Sequence, residues 1–208
     1  MEHPDHVRLL GGIPQPGETW AEFGSGEGAF TLALADLLGP AGVIYSVDRD
    51  AGALRRQEQT LRAWFAQTRL HSLAADFTRP VQLPALDGIL AANSLHFLAR
   101  KEAALGLIRS YLKPGGRLIV IEYNVDRGNM WVPHPFSFDT WQAMVQSAGF
   151  LRTRRLAELE GSRALAQSVP GRPVLWAKMT SVRGRGDRPP ALVNSRRNSA
   201  SSMIWSLK

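Results

Sequence analysis

Residues 22–30 read Glu-Phe-Gly-Ser-Gly-Glu-Gly-Ala-Phe. They join a β-rich run, TWAEF (19–23), to a helical pattern in which Phe30, Leu32, Leu34, Leu37 and Leu38 make a broad apolar face. A glycine-rich turn in that place sits at the carboxyl end of a strand, where open α/β sheets bind ligands. Positions without side chains let a ligand lie directly on backbone there. The spacing alone leaves the ligand open. Gly24, Gly26 and Ala29 also satisfy the G-x-G-x-x-G/A pattern of a dinucleotide fold, and a tight turn with no ligand has the same residues.

Outward from this stretch the chain alternates short apolar runs with longer helical patterns: VIYSV (43–47), a helix over about 51–67, LHSLAA (70–75), DGILAA (87–92), a helix over about 100–112, and RLIVIEY (117–123). Runs such as GILAA and LIVI are apolar at successive positions, which suits strands covered on both faces. Crossovers between them make the sheet parallel, with right-handed connections, and the class doubly wound α/β. After residue 123 the rhythm changes. A Pro- and aromatic-rich loop (124–138) precedes a helix from Ser137 to Gly149, and then FLRTRRLAEL and PVLWAKM follow with only the loop GSRALAQSVPGR between them. Those two strands are expected to pair antiparallel.

Two acids stand at strand ends. Asp48 closes VIYSVD, placed to accept hydrogen bonds from ribose hydroxyls, and Asp76 closes LAAD, placed to accept from an adenine amine. The plain alternative for each is a cap on the helix or turn that follows.

The pieces Glu22–Phe30, Val47-Asp48, Ala75-Asp76-Phe77, the fourth strand running through Asn93 to His96, and Leu112-Lys113-Pro114-Gly115-Gly116, in this order, resemble the class I S-adenosylmethionine-dependent methyltransferases over about residues 10–180. The resemblance implies a mostly parallel seven-stranded sheet, its last strand PVLWAKM antiparallel, with helices on both faces. It implies S-adenosylmethionine as cofactor and S-adenosylhomocysteine as product. It assigns Glu22 and Ser25 to the glycine loop and the amino-acid end, Gly24, Gly26 and Gly28 to the floor under the methionine and ribose, and Asp48 to the ribose. Arg49, Asp76 and Phe77 would form the adenine slot, and Asn93 would lie near the methionyl end.

Methyl transfer from a sulfonium is an in-line displacement, so holding the nucleophile about 3–3.5 Å from the methyl carbon is the main task. A hydroxyl or protonated-amine acceptor would also use a general base, for which histidine is suited near neutral pH. His96, Tyr123 and His134 are the candidate catalytic side chains, and the stretch 122–135 is expected to wall the acceptor pocket. With about 18 residues before the first strand, the acceptor is expected to be a small molecule or the site to be open. His3 and His6 read as members of a solvated helix, and no metal site is expected.

The composition, 208 residues with 44% hydrophobic and 21% charged, fits one ordinary domain. With no cysteine there is no disulfide, thiolate zinc site, iron–sulfur cluster or cysteine nucleophile. Neither a signal sequence nor a membrane span is read in the chain, so a cytoplasmic protein is expected. The net charge of +7 is uneven: Arg183, Arg185, Arg188, Arg196, Arg197 and Lys208 stand against Asp187 alone, leaving residues 1–180 at +2. Residues 181–208 are read as a disordered basic tail. Together with Arg152, Arg154 and Arg155 it is the feature that favours RNA or DNA methylation as an alternative. Against that stand the nearly neutral body and the absence of an Asn-Pro-Pro-aromatic sequence after the fourth strand, which reads Asn93-Ser94-Leu95-His96. A scaffold that binds the cofactor without turnover is the other alternative.

Overall fold

The computed structural model describes residues 1–11, 13–160 and 174–182. Helix α1 (His3–Leu9) leads into β1 (Thr19–Phe23), α2 (Ala29–Leu38), β2 (Val43–Asp48), α3 (Ala51–Trp64), β3 (Arg69–Ala74) and β4 (Leu86–Ala92). A 3-10 turn (Leu95–Phe97), α4 (Glu102–Tyr111), β5 (Leu112–Tyr123), α5 (Phe138–Ser147), β6 (Leu151–Glu160) and β7 (Val174–Ser181) complete the described elements. The strands lie in one sheet in the order β3-β2-β1-β4-β5-β7-β6. β1 to β5 run parallel, while β7 lies antiparallel to both β5 and β6. The α/β class and the mostly parallel sheet expected from the alternating runs are the ones found.

The strand order reverses beside β1, with β2 on one side and β4 on the other, so the tips of β1, β2 and β4 open a crevice at the switch point. Each face of the sheet carries its own core. Leu9, Leu10, Trp20, Phe30, Leu34, Leu38, Ile44 and Leu61 pack α1, α2 and α3 on one side. Phe23, Val47, Leu105, Ile108, Leu118, Phe136, Trp141 and Val145 pack α4 and α5 on the other. Burial on both faces is why these strands read as continuous apolar runs.

Two expectations change, and one plain alternative is set aside. Helix α1 is not solvated: Leu9 and Leu10 are fully buried, and His6 is buried with its ring edge-on to Phe30 at 4.6 Å. The first apolar residues of the chain gain more by closing the α2 face than by facing water. Leu112–Gly116, whose Pro-Gly-Gly sequence reads as a turn feeding the fifth strand, is part of β5. The pairing with β4 jumps from Leu86–Leu112 to Gly88–Arg117, and Gly115 takes φ +83°, so Pro114 and Gly115 bulge out of the ladder. Asp50, not Asp48, caps α3, its Oδ1 accepting from the Gly52 and Ala53 N–H groups, which hold its carboxyl below the usual range. The loop 161–172 and the tail from 183 to 208 lie outside the described residues.

Candidate functional site

At the switch point a cleft of about 380 Å³ is lined by Gly24, Asp48, Arg49, Asp76, Phe77, Thr78, Asn93, Ser94, Phe97 and Leu98. The floor is the glycine loop. Gly24 sits at φ +74°, and a Cβ on it would stand 2.5 Å from Ser94 Cβ, so the loop and the segment after β4 close on one another only because that position has no side chain. Gly28 opens α2 at φ +88°, and a Cβ there would overlap Gln57 Cγ at 2.3 Å.

The loop's polar groups are committed inward. The Gly24 and Ser25 N–H groups donate to Val47 O, Gly26 N–H to Asp48 Oδ2 at 2.8 Å, and Gly28 N–H to Ser25 O. These four donors are therefore not arrayed for a pyrophosphate, the use a dinucleotide site makes of such a loop. Beneath them runs a chain of buried side chains. Ser46 Oγ donates to Gln57 Oε1 at 2.7 Å, which leaves the Ser25 hydroxyl to donate to Ser46 at 2.6 Å. Gln57 Nε2 donates to Thr31 Oγ1, and Thr31 donates to Glu22 Oε2. All hydrogens thus point one way, ending on Glu22, whose burial pushes its carboxyl up to about 8.

The acids hold two positions around the cleft. Asp48 is half-buried and accepts from the Gly26 and Asp50 N–H groups, one on each oxygen. Asp76 Oδ1 accepts from the Thr78 hydroxyl at 2.6 Å and N–H at 2.9 Å, bonds that hold its carboxyl below the usual range. Both acids therefore brace turns as well as face the cleft, so the structural and functional readings of the sequence coexist. Phe77 stacks on Phe23 with centroids 5.5 Å apart, setting one aromatic wall. Asn93 takes φ +49°, and its Oδ1, like Ser94 Oγ, is buried with no hydrogen-bond partner among the described residues.

Of the residues expected to hold the cofactor, the cleft brings together Gly24, Asp48, Arg49, Asp76, Phe77 and Asn93. Glu22, Ser25, Gly26 and Gly28 lie in or beneath the loop that forms the floor. His96, Tyr123 and His134 are not among the lining side chains. His96 is 3% exposed and its Nδ1 meets Glu122 Oε2 at 2.7 Å; Tyr123 is packed in the α1/α2-side core. Burial and the neighbouring Glu122 carboxylate hold the Tyr123 phenol above its ordinary range. The His134 side chain is exposed, and its backbone N–H donates to His96 O. The 124–135 segment also stands off the described cleft: Val132 anchors it in the core, while Met130 and Trp131 are exposed. Sequence reading missed Gln57, Thr31 and Ser46, because spacing along a chain does not announce contacts between different elements. Among the described residues no group of three or more His, Asp or Glu side chains is set to hold a metal ion.

Comparison with known proteins places these observations. Residues 21–118 match the methyltransferase domain family. The ubiquinone/menaquinone biosynthesis C-methyltransferase UbiE of Burkholderia vietnamiensis (strain G4 / LMG 22486) is 28% identical over 160 residues, 76% of this chain and 63% of the relative. The chain thus spans less than two thirds of the curated relatives it matches. YcgJ from Bacillus subtilis superposes with a TM-score of 0.67 at 12% identity, over 87% of this chain and 99% of that one. An arsenic(III) S-adenosylmethionine methyltransferase from Chlamydomonas reinhardtii gives 0.65 at 16% identity, over 83% and 66% of the two chains. With the reversing strand order, the glycine loop and the two acids at the tips of β2 and β3, these matches show that residues 21–118 are similar to the methyltransferase domain family and that the chain shares its fold with solved S-adenosylmethionine-dependent methyltransferases.

Proposed function

We propose that the chain binds S-adenosylmethionine in the cleft and transfers its methyl group to an O, N or C nucleophile of a small-molecule acceptor. The observation that carries the reading is the convergence, around one cleft, of two strand-end carboxylates, a stacked Phe23–Phe77 wall and a glycine floor whose free side is too close to Ser94 for any side chain. The donor set fits an adenosyl ligand. Asp48 would accept from ribose hydroxyls and Asp76 from an adenine amine, with Arg49 and Phe77 as the residues that would hold the ring. Asn93 and Ser94, with unpartnered buried oxygens, stand at the methionyl end. The bound cofactor supplies an electrophilic methyl group; the chain's own residues align it, shield it and hold the acceptor. Since His96, Tyr123 and His134 do not line the cleft, alignment carries the rate in this reading.

The reading extends to the whole domain: residues 1–180 as the methyltransferase domain, with the seven strands and antiparallel β7 as its complete sheet, and 181–208 as an appended basic tail. Among the described residues no helix is long and apolar enough to cross a membrane. A cytoplasmic setting remains part of the proposal.

Parallel calorimetric titrations with S-adenosylmethionine, S-adenosylhomocysteine and NAD test the cofactor. Micromolar binding of the adenosyl ligands without a response to NAD is the expected result. NAD binding with no adenosyl response would overturn the reading. S-adenosylhomocysteine release across a panel of acceptors then separates an enzyme from a scaffold.

A further inference from the structure

The segment from Asn93 to Leu98 forms one wall of the cleft through Asn93, Ser94, Phe97 and Leu98, yet only three of its residues are in regular structure. Asn93 lies in the left-handed region, a conformation that persists in a non-glycine residue only where its surroundings impose it. What imposes it can be followed atom by atom. Asn93 N–H donates to Ile121 O at 2.8 Å. The Leu95 and His96 N–H groups both donate to Glu122 Oε1, at 3.0 and 3.1 Å. His96 Nδ1 meets the other oxygen, Glu122 Oε2, at 2.7 Å. The far end is tied as well: Lys101 Nζ donates to Leu98 O at 2.8 Å and to His134 O at 2.9 Å, while His134 N–H donates to His96 O at 2.9 Å.

Glu122 is fully buried, and a buried carboxylate is tolerated only when its lone pairs are filled. Here two backbone donors and one imidazole fill them. Because the carboxylate accepts, Nδ1 carries the hydrogen, and the ring is fixed in that tautomer. The side chain of His96 thus acts as a strut from the wall to β5 rather than as a group reaching into the cleft.

We propose that Glu122 and His96 are positioning residues: together they lock the 93–98 wall in the geometry that receives the cofactor's methionyl end and the acceptor. This rests on the cofactor reading above. Its consequence is that the two residues govern ligand affinity although neither side chain lines the cleft.

The experiment pairs calorimetric affinity for S-adenosylhomocysteine with amide hydrogen exchange at residues 93–98, in full-length His96→Leu, His96→Asn, Glu122→Ala and Glu122→Gln variants. His96→Leu and Glu122→Ala are expected to weaken binding about tenfold, the scale of a lost charge-assisted hydrogen bond, and to speed exchange at Leu95 and His96. His96→Asn restores a donor where Nδ1 stood and is expected to bind within about threefold of the parent. Glu122→Gln keeps an acceptor for both N–H groups and serves if Glu122→Ala does not fold; its loss is expected to be about threefold. Unchanged affinity and exchange in folded His96→Leu would overturn the proposal, as would a His96→Asn as impaired as His96→Leu. A defect in methyl transfer alone, with affinity and exchange intact, would make His96 a base and overturn it too. If the parent chain binds no adenosyl ligand, the functional reading fails separately and exchange decides the clamp: faster exchange supports it, unchanged exchange overturns it.

Discussion

Glu22 shows how a single residue can tie the site to pH. Its carboxyl is buried under the glycine loop and accepts from Thr31, and burial raises it from about 4.5 to about 8. The folded chain therefore holds a proton that the unfolded chain releases between those values. The stability this proton confers is complete below about 4.5 and is lost as pH rises through about 8. Glu22→Gln keeps a carbonyl acceptor for Thr31 and cannot ionise. It is expected to be relatively more stable than the parent above about pH 8 and to flatten the decline, a difference of at most roughly 5 kcal/mol. Urea unfolding midpoints of the two proteins from about pH 5 to about pH 9 measure it. Parallel pH curves would show that Glu22 is ionised throughout.

Between elements, the loop is held by a relay of side chains from β1, α2, α3 and β2. Gln57 is its centre: fully buried among the apolar residues Ala53, Leu54 and Leu61 on the inward side of α3, it accepts from Ser46, donates to Thr31 and lies against Gly28. Gln57→Leu fills the same space but strands Ser46 and Thr31, so a loss of about 1–3 kcal/mol is expected, with weaker adenosyl binding because the loop's underside is no longer tied. Chemical unfolding and calorimetry on the same preparation check both, and a stable variant with parental affinity would reduce the relay to packing. The glycine loop, Asp48, Asp76 and the parallel strands were legible because each follows from local spacing or from runs of apolar residues. Gln57 was not, since its role depends on partners 11 and 26 residues away. Nor was the Glu122–His96 pair, 26 residues apart, which only the β4–β5 register brings together. His6 read as solvated for the same reason: nothing in its own helix announces Phe30 on the next.

At the scale of the whole chain, most of the net charge lies apart in sequence from the residues that line the cleft. The body, at +2, carries its cleft between acids, while six cations against one acid lie in 181–208. On β6, Arg155 is already paired with Glu158 and lies over Phe138 at 4.7 Å, so part of the arginine cluster is committed to the fold. Any affinity for nucleic acid is therefore expected to be a property of the tail rather than of the cleft. Single-stranded binding releases about 0.7 counterions per phosphate neutralised, so six cations bound the salt dependence at a slope near −4 in log K against log salt. Fluorescence anisotropy of a labelled oligonucleotide, over a range of salt, measures the slope for the full chain and for a version ending at Val182. The shortened chain is expected to lose the oligonucleotide while keeping its affinity for S-adenosylhomocysteine. A steep slope surviving truncation would put the phosphates on the folded body rather than on the tail, and nucleic acid would then join the acceptors to be tested.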